Sequence, residues 1–270
     1  MHSISIKTIP GIDEWREHAR LLLANNIPPD HIIWQGDDNA QMNLLASDMP
    51  VFSVDKQINF KISAQILDMI NTALCHNGPC RFDLCYRLLW RLKHENKNLL
   101  ALKTDNDVLA FQKLVKAVRR DAYKITAFLR FREVEKDGYP YFIAWYEPEF
   151  FSLELKLDFF KTRFKNMRWS ILTPYRAAHW NGENLFLEDN PDPALYPKDD
   201  KIEQYWLTYY ASIFNPARPK KNAMMSSMPK KYWKNMPESI LINNLLKNSQ
   251  AQAKAMIARD QASRQKSDEI

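Results

Sequence analysis

Apolar and polar residues alternate over positions 3–9, "SISIKTI", the period of two that a half-buried strand shows. The period then changes. In "GIDEWREHARLLLANN" Trp15, Ala19, Leu22 and Leu23 recur at helical spacing, and Asp13 stands where a capping side chain is expected. "PPDHIIWQGDD" ends that helix with prolines and returns as a short strand. Strand, helix and strand predict a small α/β unit at the start of the chain, while residues 36–60 show little period.

From 61 to 136 the spacing predicts helices. "SAQILDMINTALCH" opens on a serine cap, and "RFDLCYRLLWRLKHE" sets Phe82, Tyr86, Leu89 and Leu92 on one stripe. "DVLAFQKLVKAVRRDAYKITAFLRFREV" continues with Leu109, Leu114, Val118 and Ile125, and brings Arg119, Arg120 and Lys124 onto one broad face. "EKDGYPYFIAWYEP" reads as a turn into a strand, with Asp137-Gly138 marking a hairpin. A helix over 154–165 follows. "MRWSILTPYRAAHWNGENLFLE" then reads as two strands joined at Asn181-Gly182, and "NPDPALYPKDD" as a surface loop. The expected fold is α+β, one domain over 1–248. It comprises an α/β start (1–60), a helical middle (61–136), a short, mostly antiparallel sheet (137–190) and a basic helical C-terminal cap (200–248), with 249–270 a disordered tail.

Composition narrows the chemistry. At 270 residues, with 46% hydrophobic and 12% aromatic content, the chain can bury a substantial core. Only 5 glycines are present, and neither GxGxxG nor GxxxxGKS/T occurs, which argues against a glycine-built phosphate loop. HExxH, GxSxG, paired CxxC and the zinc-deaminase signature are also missing. Cys75, Cys80 and Cys85 sit five apart, a spacing that does not share a helix face, so free, buried, structural thiols are expected and no metal or cofactor. With neither a leader-like start nor a long apolar run, the expected location is cytoplasmic, at the nucleoid, with no membrane partner.

Charge is uneven. Residues 1–60 carry four cations against eight acids, 113–136 carry eight against three, and 211–238 carry six against one. Two basic segments in a nearly balanced chain suit a polyanion-binding face, solvated helix faces being the competing explanation. The second segment interleaves cations with rings, in "YYASIFNPARPKKNAMMSSMPKKYWKN". There Arg218, Lys220, Lys221, Lys230, Lys231 and Lys234 can neutralise phosphates while Tyr232 and Trp233 offer faces for bases. Tyr209 and Phe214 read as core.

"VRRDAYKITAFLRFREV", "FIAWYEPE", "FKNMRWSILTPYRAAHWNGE", "YYASIFNPAR" and "MPKKYWKNMPES", in that order, resemble a bacterial family of uncharacterised function associated with DNA metabolism and repair. The resemblance covers roughly residues 10–248. Related domains occur N-terminal to X-type uracil-DNA-binding glycosylases, and stand-alone members are paired with a radical-SAM DNA repair protein. The resemblance therefore implies DNA as partner, with either of those proteins as a second. One departure stands out: such families place histidine after the Glu-Pro-Glu motif, whereas Phe150 and Phe151 follow Glu149 here.

Base excision is the leading expectation. It needs an everted base stacked on a ring and a carboxylate for the cationic transition state or its water. Asp121, Glu133 and Glu147, each beside basic or aromatic residues, are candidates for the carboxylate, ion pairing being the competing role. His179 is the candidate imidazole, with His76 a second. Trp145, Trp169 and Trp180 could stack or fill the core. Arg130, Arg132, Arg168 and Arg176 would join Arg119, Arg120 and Lys124 on phosphates. The alternative is a non-catalytic DNA-recognition module serving a separate enzyme, with RNA binding a third reading. Convergence of an imidazole, a carboxylate and a ring in one pocket separates the first two.

Overall fold

A helix-led unit and a sheet-led unit share the chain, which crosses between them more than once. The computed structural model describes residues 2–36, 60–136, 138–196 and 228–236, with 207, 208, 239–242, 245, 248, 249 and 255. The first compact unit comprises Met1–Thr126 and Pro148–Phe159, and the second Ala127–Glu147 and Phe160–Ile270. The fold class is α+β, as the alternation of periods predicts.

In the first unit β1 (His2–Ile6) pairs in parallel with β2 (Ile32–Gly36), the helix α1 (Ile12–Ala24) lying between them in sequence. The predicted stripe Trp15, Ala19, Leu22 and Leu23 is buried. Asp13 is not the cap. The helix starts from Gly11, whose φ of 79° suits glycine, and a Cβ there would run into the Ile6 side chain. Glu14 supplies the return contacts instead, its Oε2 accepting from the Lys7 and Thr8 amides at 2.9 and 3.1 Å.

Then come α2 (Ala64–Leu74), capped by Ser63 Oγ as expected, α3 (Arg81–His94) and α4 (Asn106–Phe128), whose residues to Thr126 belong to this unit. On α3 all four stripe residues are buried. On α4 the buried stripe is Val108, Phe111, Val115, Val118, Ala122 and Ile125, a regular three-four alternation, while Leu109 is exposed. Helical periodicity extrapolated to 136 also fails, because α4 ends at Phe128 and Arg132–Lys136 is a strand. Cys75 and Cys85 are buried free thiols, whose burial pushes their pKa values far up, but Cys80 is exposed.

Asp121 is 2% exposed and braces the returning segment. Its carboxylate accepts from the Glu149 amide at 3.0 Å, the Phe150 amide at 3.1 Å and Ser152 Oγ at 2.8 Å. The Phe151 amide donates to Cys75 O at 2.9 Å, and Asn77 Nδ2 to Glu149 O at 3.0 Å.

The second unit is built on a five-stranded sheet, β3 (Arg132–Lys136), β4 (Tyr139–Trp145), β5 (Trp169–Leu172), β6 (Arg176–Trp180) and β7 (Leu185–Asp189), in that spatial order. Only β4 and β5 run parallel, and the stretch that connects them contains α5 (Leu157–Arg163). β3 and β4 pair antiparallel, as the expected hairpin requires, while Asp137 itself lies outside the described residues. The run 167–188 holds three strands rather than two, because Thr173 Oγ1 bonds the Arg176 backbone and closes a tight turn before the predicted one at Asn181-Gly182. A 3₁₀ helix over Lys230–Asn235 falls within the expected basic cap, the rest of which lies largely outside the described residues.

Asp121→Ala leaves two amides and a hydroxyl without their acceptor and should cost about 2–4 kcal/mol of unfolding free energy. Asp121→Asn, which keeps one acceptor oxygen, should lose less. Urea titration of the three proteins checks the order.

Candidate functional site

Strand register sorts the second unit's side chains onto two faces. Phe142 is paired with Trp169, and Trp169 with Trp180, so these three share one face. Trp169 and Trp180 are buried there with Phe131 and Phe160, and the half-buried Phe164 packs against them, at ring separations of 5.3 to 6.5 Å. Alternation then puts Tyr139, Tyr141, Ser170, His179 and Phe186 on the opposite face.

That opposite face opens into a cavity of about 820 Å³ at the end of the sheet. Tyr139, Tyr141, His179 and Phe186 line it, together with Lys165 and Arg168 from the segment before β5 and Asn181 and Glu183 from the β6–β7 turn. Tyr139 and Phe186 are 61% and 54% exposed, large for rings in a folded chain, and the Arg168 guanidinium lies 5.3 Å from the Tyr139 centroid. Across the same face runs a hydrogen-bonded row. Tyr141 Oη lies 2.7 Å from Ser170 Oγ, Ser170 Oγ 2.6 Å from His179 Nδ1, and His179 Nε2 3.0 Å from Glu188 Oε2.

The candidate residues from the sequence divide sharply. Arg168 and His179 meet at this cavity, and Trp180 reaches its wall, but only as part of the core: its ring stacks on Trp169 and its Nε1 donates to Lys165 O at 3.2 Å. Glu133 is paired with Phe142 and so belongs to the other face. Asp121 is buried in the first unit's brace. Arg176 is 14% exposed and bonded to Asp189 Oδ1 at 2.7 Å through Nε and Nη2. Arg130 donates to the carbonyls of Ala127 and Leu129 beyond the end of α4, and Arg132 lies 4.7 Å from the Tyr196 centroid. On α4, Arg119 is exposed and paired with Asp68 at 2.8 Å, Arg120 is exposed, and Lys124 is half-buried.

The Pro-Lys-Lys-Tyr-Trp motif is only half outward. Lys230 and Lys231 are exposed, but Tyr232 is buried between Tyr146 and Phe128 at 5.3 and 5.5 Å, and Trp233 Nε1 donates to Met228 O at 3.1 Å. Tyr232 is therefore core and not a free stacking surface. Lys234 grips Glu147 at 2.6 and 2.7 Å, and Trp145 Nε1 donates to the same carboxylate at 2.8 Å. Burial raises the Glu147 pKa, but these two donors outweigh it and hold the carboxyl below its ordinary value. Tyr209, Phe214, Arg218, Lys220 and Lys221 lie outside the described residues.

In the first unit His76 stacks on Phe150 with ring centroids 4.4 Å apart, and its Nδ1 accepts from the Gly78 amide at 2.8 Å. Burial, then the nearby Arg81 guanidinium, lowers its pKa, with Glu149 opposing. Phe150, where the resemblance expects histidine, thus covers the imidazole instead of adding one.

Sequence reading missed Tyr139, Tyr141, Ser170, Phe186 and Glu188. The period-two pair in "YPYF" was a usable signal for the two tyrosines; Ser170 and Glu188 gave none, because only pairing brings them to His179.

Residues 79–238 match a family described as a domain of unknown function, DUF4130. No curated protein and no solved structure matches the chain.

A histidine whose folded pKa is lowered stabilises fully above its ordinary value of about 6.5 and less as pH falls through the folded one. Melting temperature should therefore fall between pH 7 and 5 in the wild type and less in His76→Gln; parallel curves would refute this. The Glu147–Lys234 pair is exposed, so Lys234→Met should cost under about 1 kcal/mol, and that cost should vanish as acid protonates the carboxylate.

Proposed function

This chain belongs to the DUF4130 family, and we propose that it handles DNA, taking an everted nucleotide into the sheet cavity of its second unit and excising the base. One observation carries the reading: rings, cations and an imidazole backed by a carboxylate converge on one cavity. About 820 Å³ is within the usual range for a small-molecule site and accommodates a nucleotide. Tyr139 and Phe186 offer faces for a base, at roughly 1–3 kcal/mol of stacking each. Lys165 and Arg168 sit at the same mouth and suit the phosphates. The buried aromatic face beneath fixes the backbone that holds them, so little ordering is left for binding to supply.

The resemblance to a bacterial DNA-metabolism family agrees with this, and with a cytoplasmic, nucleoid-associated protein working beside a radical-SAM or glycosylase partner. Among the described residues no helix is long and apolar enough to cross a membrane. A non-catalytic recognition module is the second reading. It is favoured by the carboxylates that are already committed, Asp121 to a brace and Glu147 to Lys234.

The test is release of abasic sites, revealed by alkali, from duplex and single-stranded oligonucleotides carrying uracil, alkylated purines or modified cytosines. Wild type should cleave at least one. Tyr139→Ala and Phe186→Ala should each weaken binding about 5- to 100-fold, and Arg168→Ala should reduce the salt dependence of binding. Salt-sensitive binding without cleavage of any substrate would leave the module; no binding would sink both.

A further inference from the structure

Charge on the cavity wall is of two signs. Lys165 and Arg168 supply cations, and Glu183 is the one carboxylate among the described residues that line the cavity. It differs from Asp121, held by three donors, and from Glu147, held by Lys234 and Trp145. The Glu183 side chain is exposed and, among the described residues, enters no hydrogen bond or ion pair. His179 on the same wall is occupied at both ring nitrogens, by Ser170 at 2.6 Å and by Glu188 at 3.0 Å. The Glu183 backbone, by contrast with its side chain, is fixed. Asn181 Oδ1 accepts from the Glu183 amide at 2.8 Å and the Asn184 amide at 2.7 Å, and the Asn181 amide donates to Asn184 O at 3.3 Å. Gly182 between them has φ 104°, which glycine adopts without strain. The Asn181 side chain thus braces the turn that presents the carboxylate to the cavity.

Breaking an N-glycosidic bond builds positive charge on the sugar, while the phosphates on either side are negative. Cations alone would hold the phosphates and oppose the charge developing at the sugar; a carboxylate there favours it. Phenols, imidazole, ammonium and guanidinium groups carry no negative charge at neutral pH. We propose that Glu183 is the catalytic carboxylate of the cavity, set against the sugar and its attacking water while Lys165 and Arg168 hold the phosphates. The inference rests on the base-excision reading. A water gives a proton to the Glu183 carboxylate as its oxygen bonds to sugar C1′. The C1′–N bond breaks and its electron pair leaves with the base. The Glu183 carboxyl then gives the proton to the departing base nitrogen. One water is consumed, the sugar gains its hydroxyl, the base gains its hydrogen, and the carboxylate is restored.

The test is single-turnover base release from an oligonucleotide carrying uracil, an alkylated purine or a modified cytosine, whichever the wild type cleaves. Glu183→Gln removes a negative charge beside a polyanion, so it should bind as well as wild type or up to about threefold tighter, while base release falls about 10²- to 10⁴-fold. Glu183→Asp keeps the charge on a shorter arm and should recover part of the rate. Asn181→Ala loses the brace and should slow release less than Glu183→Gln does, with binding unchanged. A rate loss that follows weaker binding or a lower melting temperature is the mark of a structural role and overturns the proposal. Base release by Glu183→Gln at the wild-type rate overturns the catalytic role alone, and the excision reading stands. A wild type that binds the DNA and releases no base overturns excision and this role together, and one that binds no DNA overturns the nucleic-acid reading as a whole.

Discussion

Trp169 pairs with Phe142 on one side and Trp180 on the other, and every neighbour's face follows from that pairing. A slip of one residue would turn the tryptophans outward and Ser170 and His179 inward. Each large ring buries roughly 150–250 Å², and at about 25 cal/mol per Å² that is about 4–6 kcal/mol as an upper bound. The hydrogen bonds of the polar row contribute about 1 kcal/mol each. The aromatic face therefore sets the register and the polar row rides on it. The site is held by residues that never touch a ligand.

Charge explains less of the arrangement than its total suggests. The basic segment 113–136 does not form one open face. Arg119 is paired with Asp68, Arg130 caps backbone carbonyls, and Arg132 lies over Tyr196. Exposed pairs of this kind contribute little to stability, so their consequence is mainly to dilute a phosphate-binding surface. Lys165 and Arg168, which stand with the exposed rings of the cavity, lie outside both basic runs. Local geometry, rather than net charge, marks the cavity.

Buried carboxylates show the same logic. Asp121 looked reactive because arginines flank it in sequence, yet those arginines point to solvent while the carboxylate turns in to three donors. On a helix, adjacent residues face different ways. That single fact separates Asp121 from Arg120. It also separates Glu133 from its neighbour Arg132, which lie on opposite faces because residues alternate along a strand.

Local periodicity in the sequence was enough for the α/β opening, the stripes of α1 and α3, the Ser63 cap and the β3–β4 hairpin, because each depends on residues a few positions apart. Arg168 and His179 became candidates by residue type rather than by period. Periodicity misplaced the end of α4, since apolar positions near 129–134 fit either period and strand pairing with β4 decided between them. Tyr232 could not be separated from Trp233 as core or surface, because the stacking partners Tyr146 and Phe128 are distant in sequence. The cavity itself was beyond local reading. Tyr141, Ser170, His179 and Glu188 come from four different strands, and only the register of those strands brings their polar atoms within hydrogen-bonding distance.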